Sequence, residues 1–374
     1  MGAGISEITI IGGGVVGLSV ALGLVRAGHR VTVLDGSDSD LRASQGNFGL
    51  VWLQGKGADF APYCELTRKA VAAWPGFARD LADLAGIDLA LDQSGGFEFF
   101  TDPAELANFA AALDRQQAHL GNRFSHEVIG GDDLRRSYPM IGPDVVGATF
   151  CALDGHVNPL RLLRALRCAV VALGGRVLAD AQVTGIVPGP DGGFDLALRG
   201  GGTRGAERIV LCAGLGSPAL AAQLGFITRV RPQRGELLIT EKLAHRLPFL
   251  SSTIRQVDEG GVQIGGTKAD AGPDDSETLE VMAGLARHAV QVLPALADVR
   301  VVRAWGALRV MSPDGYPVYA RSSRHPGASL VTCHSGVTLA PLHASILAEW
   351  IDGASNAPEL EAFDENRFAL SDAA

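Results

Sequence analysis

The first 35 residues contain the pattern that most constrains the fold, a glycine-rich turn between an apolar strand and a helix. Residues 7–11 form a short apolar run, and residues 12–17 read Gly-Gly-Gly-Val-Val-Gly. Apolar positions then recur at helical spacing as far as Gly28, and a second apolar strand at 30–35 ends in Asp35. This β-α-β order around a G-x-G-x-x-G turn predicts an α/β domain of the Rossmann type that binds a dinucleotide.

The residues of this turn have distinct expected roles. Gly12 permits the tight turn, Gly14 lets the backbone approach a pyrophosphate, and Gly17 lets the helix pack on the strand. The helix N-terminus faces the phosphate charge, and Asp35 accepts hydrogen bonds from ribose hydroxyls. The fingerprint does not separate NAD from FAD. The cofactor-binding residues predicted here are Gly12, Gly14, Val15, Val16, Gly17, Asp35 and Gly36.

Composition narrows the class of protein. The chain has 374 residues, of which 47% are hydrophobic, so it can build one large core or two, and disorder is not expected. A net charge of -9 argues against a nucleic-acid partner. The five cysteines show no C-x-x-C spacing, so we expect no metal site, no disulfide framework and a cytoplasmic location. The uncharged run 8–25 contains five glycines and fits a strand, turn and helix better than a transmembrane segment.

The order of the remaining elements predicts two interleaved domains. Apolar strands that look parallel occur at the start, the middle (207–213) and the end (329–333), whereas 229–240 and 261–267 look antiparallel. We therefore expect a discontinuous cofactor-binding domain and a second α+β substrate domain built on an antiparallel sheet. The predicted boundaries are 1–78, 152–226 and 312–374 for the first domain, and 79–151 and 227–311 for the second. Strands are also predicted at 95–100, 176–187 and 194–199, and helices at 61–85 (kinked or divided by Pro75), 103–118, 159–173, 276–293 and 338–352.

Five further stretches carry a family resemblance. They are 42–50 (RASQGNFGL), 209–214 (IVLCAG), 231–236 (RPQRGE), 305–315 (WGALRVMSPDG) and 334–341 (HSGVTLAP). With the N-terminal fingerprint, and in this order, the chain resembles the D-amino-acid oxidase family of FAD enzymes, which includes glycine oxidase, sarcosine oxidase and D-amino-acid dehydrogenases. The resemblance spans nearly the whole chain. The stretches around Arg309 and His334 look most like the flavin subunits of hydroxyproline dehydrogenases and opine oxidases.

The resemblance implies where FAD binds. The loop after the second strand passes along the cofactor, the strand end near 213 lies at the pyrophosphate, and the backbone of Val183 faces the adenine. The helix that begins near 336 lies at the flavin pyrimidine edge, where its N-terminus stabilises the negative charge of reduced flavin. Ala307 stands near the position where sarcosine oxidases attach FAD through a cysteine, so we expect non-covalent FAD. The residues implied are Ser44, Asn47, Phe48, Gly49, Leu50, Val183, Cys212, Ala213, Gly214, Arg309, Ser335, Gly336, Val337, Thr338 and Leu339.

The resemblance also implies substrate-site residues. Arg309 matches the arginine that binds the substrate carboxylate, for which a guanidinium fork is suited; a structural ion pair with Asp314 or another nearby acid is the alternative. His334 is expected to contact the flavin or the substrate amine, or else to cap or pack. Trp305 and Tyr316 are predicted to wall the pocket, although aromatic residues are more often core. Two charged candidates remain. Glu98 pairs with a substrate cation or faces solvent, and Lys268, after Gly265-Gly266-Thr267, resembles the lysine that helps oxygen reactivity in sarcosine-oxidase-type enzymes.

The function implied is FAD-dependent dehydrogenation of an amino or imino acid, such as a D-amino acid, hydroxyproline or an opine-type secondary amine. The α-hydrogen leaves as hydride to flavin N5, and the electrons pass to a partner subunit or another acceptor. Alternatives are an oxygen-using oxidase of the glycine or sarcosine type, a non-catalytic FAD-binding subunit, and an NAD-dependent dehydrogenase. The expected partners are a small-molecule substrate and a second redox subunit.

Overall fold

The computed structural model describes residues 5–36, 43–190 and 192–368, so Arg42 of the predicted cofactor loop lies outside the described residues. The α-helices in these ranges are α1 (Val15–Arg26), α2 (Ala61–Ala85), α3 (Pro103–Leu120), α4 (Gly131–Ser137), α5 (Pro159–Ala172), α6 (Ser217–Ala221), α7 (Leu279–Val292), α8 (Gly336–His343) and α9 (Ile346–Asp352). The strands are β1 (Glu7–Ile11), β2 (Arg30–Leu34), β3 (Leu50–Val51), β4 (Gly96–Phe100), β5 (Glu127–Gly130), β6 (Gly147–Cys151), β7 (Gly155–His156), β8 (Arg176–Leu178), β9 (Val183–Pro188), β10 (Phe194–Leu198), β11 (Thr203–Ala206), β12 (Arg208–Leu211), β13 (Arg231–Lys242), β14 (Ile254–Gln256), β15 (Gly261–Ile264), β16 (Val301–Met311), β17 (Val318–Arg321) and β18 (Ala328–Thr332).

A six-stranded sheet forms the centre of the molecule, in the order β17-β18-β12-β1-β2-β8. All neighbours in it run parallel except β17, which is antiparallel to β18 at one edge. Its strands come from the start, middle and end of the chain, and the predicted Rossmann-type architecture is confirmed. The predicted strand 176–187 is wrong as one unit, because β8 joins this sheet whereas β9 pairs with β10 in a separate antiparallel sheet.

Helix α1 is buried along ten of its twelve residues, which explains the uncharged run 8–25 as a core strand and helix. It packs against α5, α8 and α9. Gly23 makes that packing close, because a Cβ there would lie 2.5 Å from the carbonyl oxygen of Ala344. That contact coincides with a break between α8 and α9, so the single helix predicted at 338–352 is wrong. No helix in the described part of the chain is both long and apolar enough to cross a membrane.

Helix starts follow the capping residues in the sequence. Asp102 accepts a hydrogen bond from the Ala104 amide at the start of α3, and Asn158 accepts from two amides at the start of α5. Helix α2 continues through Pro75, so it is not divided there. A proline leaves the carbonyl four residues earlier without its helical donor. The side chain of Gln93 donates to that carbonyl, at Val71, over 2.9 Å.

A second region consists of antiparallel sheets, as predicted. One sheet has the order β14-β15-β13-β16 and another has β4-β6-β5. The Phe97 amide of β4 donates to the carbonyl of Leu250 over 3.0 Å, which joins the two sheets. An apolar core of Phe97, Phe249 and Leu285, among others, fills the space between these sheets and α7. The division of the chain at residues 78, 151, 226 and 311 stays a prediction.

The cysteines lie apart from one another. All five are free, and three of them are buried. Among the described residues no three His, Cys, Asp or Glu side chains lie close enough together to hold a metal ion.

Candidate active site

The turn between β1 and α1 is shaped for close approach of its backbone. Gly12 has φ +111°, and a Cβ there would lie 2.4 Å from the carbonyl oxygen of Cys212. A Cβ at Gly17 would lie 2.0 Å from the carbonyl oxygen of Gly12, so the helix can rest on the turn only with glycine at this position. The first amides of α1 have no acceptor within the helix. The Val15 amide donates to the Ser44 hydroxyl, and those of Val16 and Gly17 remain as donors for an anion.

Two polar side chains frame this turn. Asp35, directly after β2, accepts a hydrogen bond from the Gly13 amide through Oδ1 over 3.0 Å. Its other oxygen is 3.9 Å from the Arg167 guanidinium and keeps capacity for a ribose hydroxyl. Ser44, in the loop after β2, accepts from the Val15 amide through Oγ over 3.0 Å. Both predicted residues therefore lie at the start of α1.

The other residues predicted for the adenine end are close by. Cys212 follows β12 and donates its amide to Ile11 of β1, which places Ala213 and Gly214 beside the glycine turn. Val183 is buried in one apolar cluster with Ile11, Leu34 and Leu211. Gly36 faces Gln182, the residue before Val183, because a Cβ at position 36 would lie 3.3 Å from Cβ of Gln182. The strand ends therefore converge on one edge of the central sheet.

The loop after β2 and helix α8 are tied together. Thr338 donates through Oγ1 to the carbonyl of Leu50 over 3.0 Å and accepts from the Trp52 amide over 3.4 Å. Asn47 accepts from the Gly49 amide over 2.7 Å, and Gly49 has φ +93°. Gly336, at the start of α8, touches α1, since a Cβ there would lie 2.9 Å from Cγ2 of Val16. The start of α8 thus lies against the first turn of α1.

Strand β16 presents Trp305, Ala307 and Arg309 on one face. The Arg309 guanidinium lies over Gly235 of the neighbouring strand β13, where a Cβ would be 2.5 Å from both terminal nitrogens. It donates to the carbonyls of Thr267 over 2.8 Å and Arg234 over 3.3 Å. Burial lowers the Arg309 pKa.

Among the described residues no carboxylate pairs with Arg309. The alternative of an ion pair with Asp314 does not hold, because Asp314 pairs with Arg367 over 2.8 Å. Trp305 donates its indole N–H to the carbonyl of Gly46 over 3.4 Å and so lies against the cofactor loop.

A hydrogen-bond network surrounds Ser335 just before α8. Its hydroxyl accepts from Tyr63 over 2.8 Å and from the Lys56 amine over 3.2 Å, and it lies 3.4 Å from Nδ1 of His334. Burial is the largest cause that lowers the pKa of His334 well below its usual range, and the charges of Arg309 and Lys268 act in the same direction. His334 is therefore a neutral imidazole at pH 7, hydrogen-bonded through this network.

Two carboxyl groups, those of Glu98 and Asp154, also interact with Lys56. Glu98 of β4 accepts from the Ser252 hydroxyl, and burial raises its pKa to about 7. Asp154, fully buried, accepts from the Leu53 amide over 2.5 Å, and burial raises its pKa to about 8. Lys56 and Lys268 lower the pKa of Glu98, against the effect of burial. The Glu98 carboxyl therefore belongs to this cluster and does not face open solvent.

The comparisons with known proteins agree with this geometry. The DAO family profile, described as FAD dependent oxidoreductase, matches residues 7–350. The chain belongs to this family. An opine oxidase subunit of Agrobacterium tumefaciens (strain Ach5) is 42% identical over 365 residues, 97% of each chain, and the corresponding protein of Rhizobium meliloti is 39% identical over 364 residues, again 97% of each. The crystal structure of glycine oxidase from Geobacillus kaustophilus shares the fold, with TM-score 0.86 and 23% identity over 97% of this chain and 99% of that one.

The protein is thus an FAD-dependent oxidoreductase, and its residues fit the cofactor. The glycine turn leaves room that a single Cβ would fill, and Asp35 is positioned at the end of β2 as a ribose acceptor. The start of α8 supplies a positive helix terminus for the flavin end. The alternative of an NAD-dependent dehydrogenase is set aside by the family match.

The structure brings most of the predicted substrate residues together. His334 is joined to the Lys56 amine through the Ser335 hydroxyl. Arg309 and Glu98 lie in the same region, because each interacts electrostatically with Lys56. Lys268 is exposed and acts on the same amine. Tyr316 lies further out, where it stacks on Phe60 with 4.6 Å between ring centroids. It reaches the network only through Tyr63, 5.0 Å from it between centroids.

Sequence reasoning missed four residues of this cluster: Lys56, Tyr63, Asp154 and Ser252. None of them lies in a stretch that carries a recognisable motif. A signal was nevertheless present for Lys56, because the chain has only four lysines against 28 arginines. A lysine in a glycine-flanked loop of such a chain is unusual.

Proposed function

We propose that the protein oxidises the amine of an amino or imino acid whose carboxylate is bound by Arg309. The observation that carries this proposal is a half-buried guanidinium held only by backbone carbonyls, without a carboxylate partner among the described residues. A charge removed from water in this way favours a counter-ion. The planar fork of arginine matches a carboxylate through two parallel hydrogen bonds.

Each residue around Arg309 has a proposed task in the reaction. FAD supplies the acceptor, at its N5, for the hydride that leaves the α-carbon of the substrate. Arg309 fixes the carboxylate and so orients the α-carbon, while Trp305 closes the wall next to the cofactor loop. His334, being neutral, adds no positive charge beside the substrate nitrogen. The imine product then hydrolyses in water.

The substrate class that we place first is an opine-type secondary amine carrying two carboxylates. Arg309 and Lys268 support this choice, because Arg309 bonds the carbonyl of Thr267, the residue next to Lys268. Two cationic groups are therefore close together on one side of the site. Relatives named as opine oxidase subunits point the same way. D-Amino acids, hydroxyproline and N-methyl amino acids are the next candidates.

The electron acceptor that we propose is a second redox subunit. We place the reaction in the cytoplasm. The support is that both opine oxidase relatives are named as subunits of a larger enzyme. Reduced protein would then reoxidise quickly with an artificial dye and slowly with air. Fast reoxidation by air, with hydrogen peroxide as product, would instead favour the oxygen-using oxidase.

An anaerobic substrate screen tests the proposed function. FAD-loaded protein is mixed with opines, D-amino acids, proline and hydroxyproline isomers, sarcosine and glycine, while the visible flavin absorbance is followed. We expect bleaching by opines or a related amino acid. A protein that holds FAD and is bleached by no member, with or without a partner subunit, would contradict the proposal and favour the non-catalytic alternative.

Arg309→Leu is expected to weaken substrate use strongly. Loss of one partner of a buried charge pair costs about 2–5 kcal/mol, so kcat/KM should fall between about 30-fold and several thousand-fold. The kcat/KM of Arg309→Lys should lie between those of the wild type and Arg309→Leu, because lysine keeps the charge and lacks the planar fork of the guanidinium. Arg300→Leu is the matched control, since Arg300 is exposed and pairs with Glu241 away from the site. Wild-type kinetics in Arg309→Leu would show that the carboxylate binds elsewhere.

A further inference from the structure

Lys56 is singled out by the composition of the chain. Cationic side chains number 32, and only four of them are lysines. Arginine is always charged in proteins, whereas lysine can release its proton when its surroundings disfavour the charge. Two of the four lysines, Lys56 and Lys268, belong to the cluster around Arg309. Of these two cationic residues, only lysine serves at a position that needs a cation able to become neutral.

The backbone around Lys56 is held in a fixed turn. Gly55 and Gly57 on either side have φ +76° and +70°. The buried side chain of Gln116 in α3 accepts from the Gly55 amide over 2.9 Å and donates to the carbonyls of Leu53 and Lys56. Asp154 holds the other side of the turn through the Leu53 amide. This arrangement aims the Lys56 side chain toward Ser335.

The Lys56 amine has one hydrogen-bond partner among the described residues, the Ser335 hydroxyl at 3.2 Å. An uncharged amine that donates one hydrogen keeps its lone pair for another group. The titratable groups that act on it come from several elements: Lys268 after β15, Arg309 on β16, Asp154 after β6, Glu98 on β4 and the thiol of Cys333 before α8. The hydrogen bond to Ser335 places the amine at the start of α8, and the electrostatic effect of Arg309 puts the proposed carboxylate anchor in the same region.

We propose that Lys56 is the proton acceptor for the substrate amine. An amino acid arrives with a protonated nitrogen, and its lone pair must be free before the α-hydrogen can leave with the bonding electrons. The N–H bond of the substrate ammonium breaks and a new N–H bond forms on Lys56, which becomes the ammonium. The lone pair freed by Lys56 would then form the C=N bond as the α-hydrogen leaves with its bonding electrons, for which bound FAD would supply the acceptor. This role rests on the proposed amine oxidation.

The surroundings shift Lys56 toward its uncharged form. Burial is the largest cause that lowers its pKa, and the positive charges of Lys268 and Arg309 act in the same direction. Asp154 opposes this shift, whereas Cys333 would oppose it only as a thiolate, which its own raised pKa disfavours. Burial raises the pKa of Asp154 to about 8, so at neutral pH most of that carboxyl is protonated and opposes it weakly. A base of this kind can take a proton and return it to water within one turnover.

A titration of the lysines tests this without any substrate. Protein grown on lysine labelled with ¹³C at Cε gives four lysine signals in its FAD-loaded form, and Lys56→Arg identifies the Lys56 signal. We expect this signal to titrate below the ~10.4 of an ordinary lysine, and to return there in urea. A Lys56 signal that titrates like ordinary lysine in the folded protein would overturn the proposal.

Kinetics of flavin reduction separate a base from a fixed positive charge. Lys56→Met should slow reduction at neutral pH by about 10²-fold or more, and the loss should shrink at high pH, where the substrate amine loses its proton unaided. Lys56→Arg should not restore the rate, because arginine stays charged. If the rate of flavin reduction in Lys56→Arg equals that of the wild type, Lys56 acts through its positive charge, and its proposed role as a base is overturned.

Two controls distinguish loss of the base from other causes of slow flavin reduction. Lys242→Met is the matched control, because Lys242 is exposed at the end of β13. It should leave both the rate and its pH dependence as in the wild type. If no substrate bleaches the wild-type flavin, the proposed function fails and takes the base role with it. If the wild type is bleached and Lys56→Met keeps wild-type rates at neutral pH, only the base role fails.

Discussion

At the scale of single residues, the site is defined by charges that lack ordinary partners. Among the described residues, Arg309 donates only to backbone carbonyls, and His334 is neutral. Burial raises the pKa values of Glu98 and Asp154 to about 7 and about 8. Sequence reasoning found Arg309 and His334 because they lie in motifs. It could not find Lys56 or Asp154, because their environment is created by distant segments such as α3.

Asp154→Asn should change how stability depends on pH. In the folded protein the pKa of Asp154 is about 8, well above its value in the unfolded chain. The folded protein therefore holds a proton that the unfolded chain releases between about pH 4 and 8, so stability from this group falls as pH rises through that window. The slope is at most about 1.4 kcal/mol per pH unit for one such group.

Thermal unfolding at several pH values checks this effect. The asparagine side chain of the variant does not titrate, and its oxygen can still accept from the Leu53 amide. Relative to the variant, the wild-type Tm should fall between about pH 5 and pH 8. Asp298→Asn, at an exposed position, is the control and should follow the wild type. Parallel curves for wild type and Asp154→Asn would show that Asp154 ionises at its ordinary pH.

At the scale of elements, the boundaries that the sequence predicted well are those with local signals. The caps at Asp102 and Asn158 and the glycine turn after β1 were all readable from neighbouring residues. The errors arose where distant contacts decide. Gln93 satisfies the carbonyl that Pro75 leaves free, so α2 continues. The close packing of Gly23 on α8 and α9 was equally invisible in the sequence.

Gly235→Ala tests the pairing of β13 with β16 at Arg309. The new Cβ would lie 2.5 Å from both guanidinium nitrogens, and the flexible end of Arg309 can move whereas the strands stay paired. We expect FAD content and Tm close to wild type, together with a clear rise in KM. Gly205→Ala on β11 is the matched control, because no described atom lies within 4 Å of its new Cβ. An unchanged KM in Gly235→Ala would argue against Arg309 as the anchor.

At the scale of the whole molecule, the fold and the cofactor were predictable because the family motifs run through the entire chain. The profile match over residues 7–350 covers all strands of the central sheet. The substrate was not predictable to the same extent, because it depends on side chains from β4, the turn before α2, β16 and the start of α8. No single stretch of sequence contains that combination.

FAD should be removable and should stabilise the protein when it is returned. Ala307 offers no sulfur for attachment, so acid precipitation should leave the yellow colour in the supernatant. FAD at about 100 times its Kd adds about 2.7 kcal/mol to the unfolding free energy, so the Tm of the cofactor-free protein should rise with FAD and not with NAD. Colour that stays with the precipitate would indicate covalent attachment.

The strand order of the central sheet has a consequence for synthesis of the chain. β12 (Arg208–Leu211) has β1 on one side and β18 (Ala328–Thr332) on the other. At about 5–20 residues per second, synthesis of the segment between β12 and β18 takes roughly 6 to 23 s. During this interval one edge of the apolar strand β12 has no partner, so the growing chain exposes an edge that favours aggregation unless a chaperone covers it. The cofactor can act as a folding template for the complete central sheet only after β18 has left the ribosome.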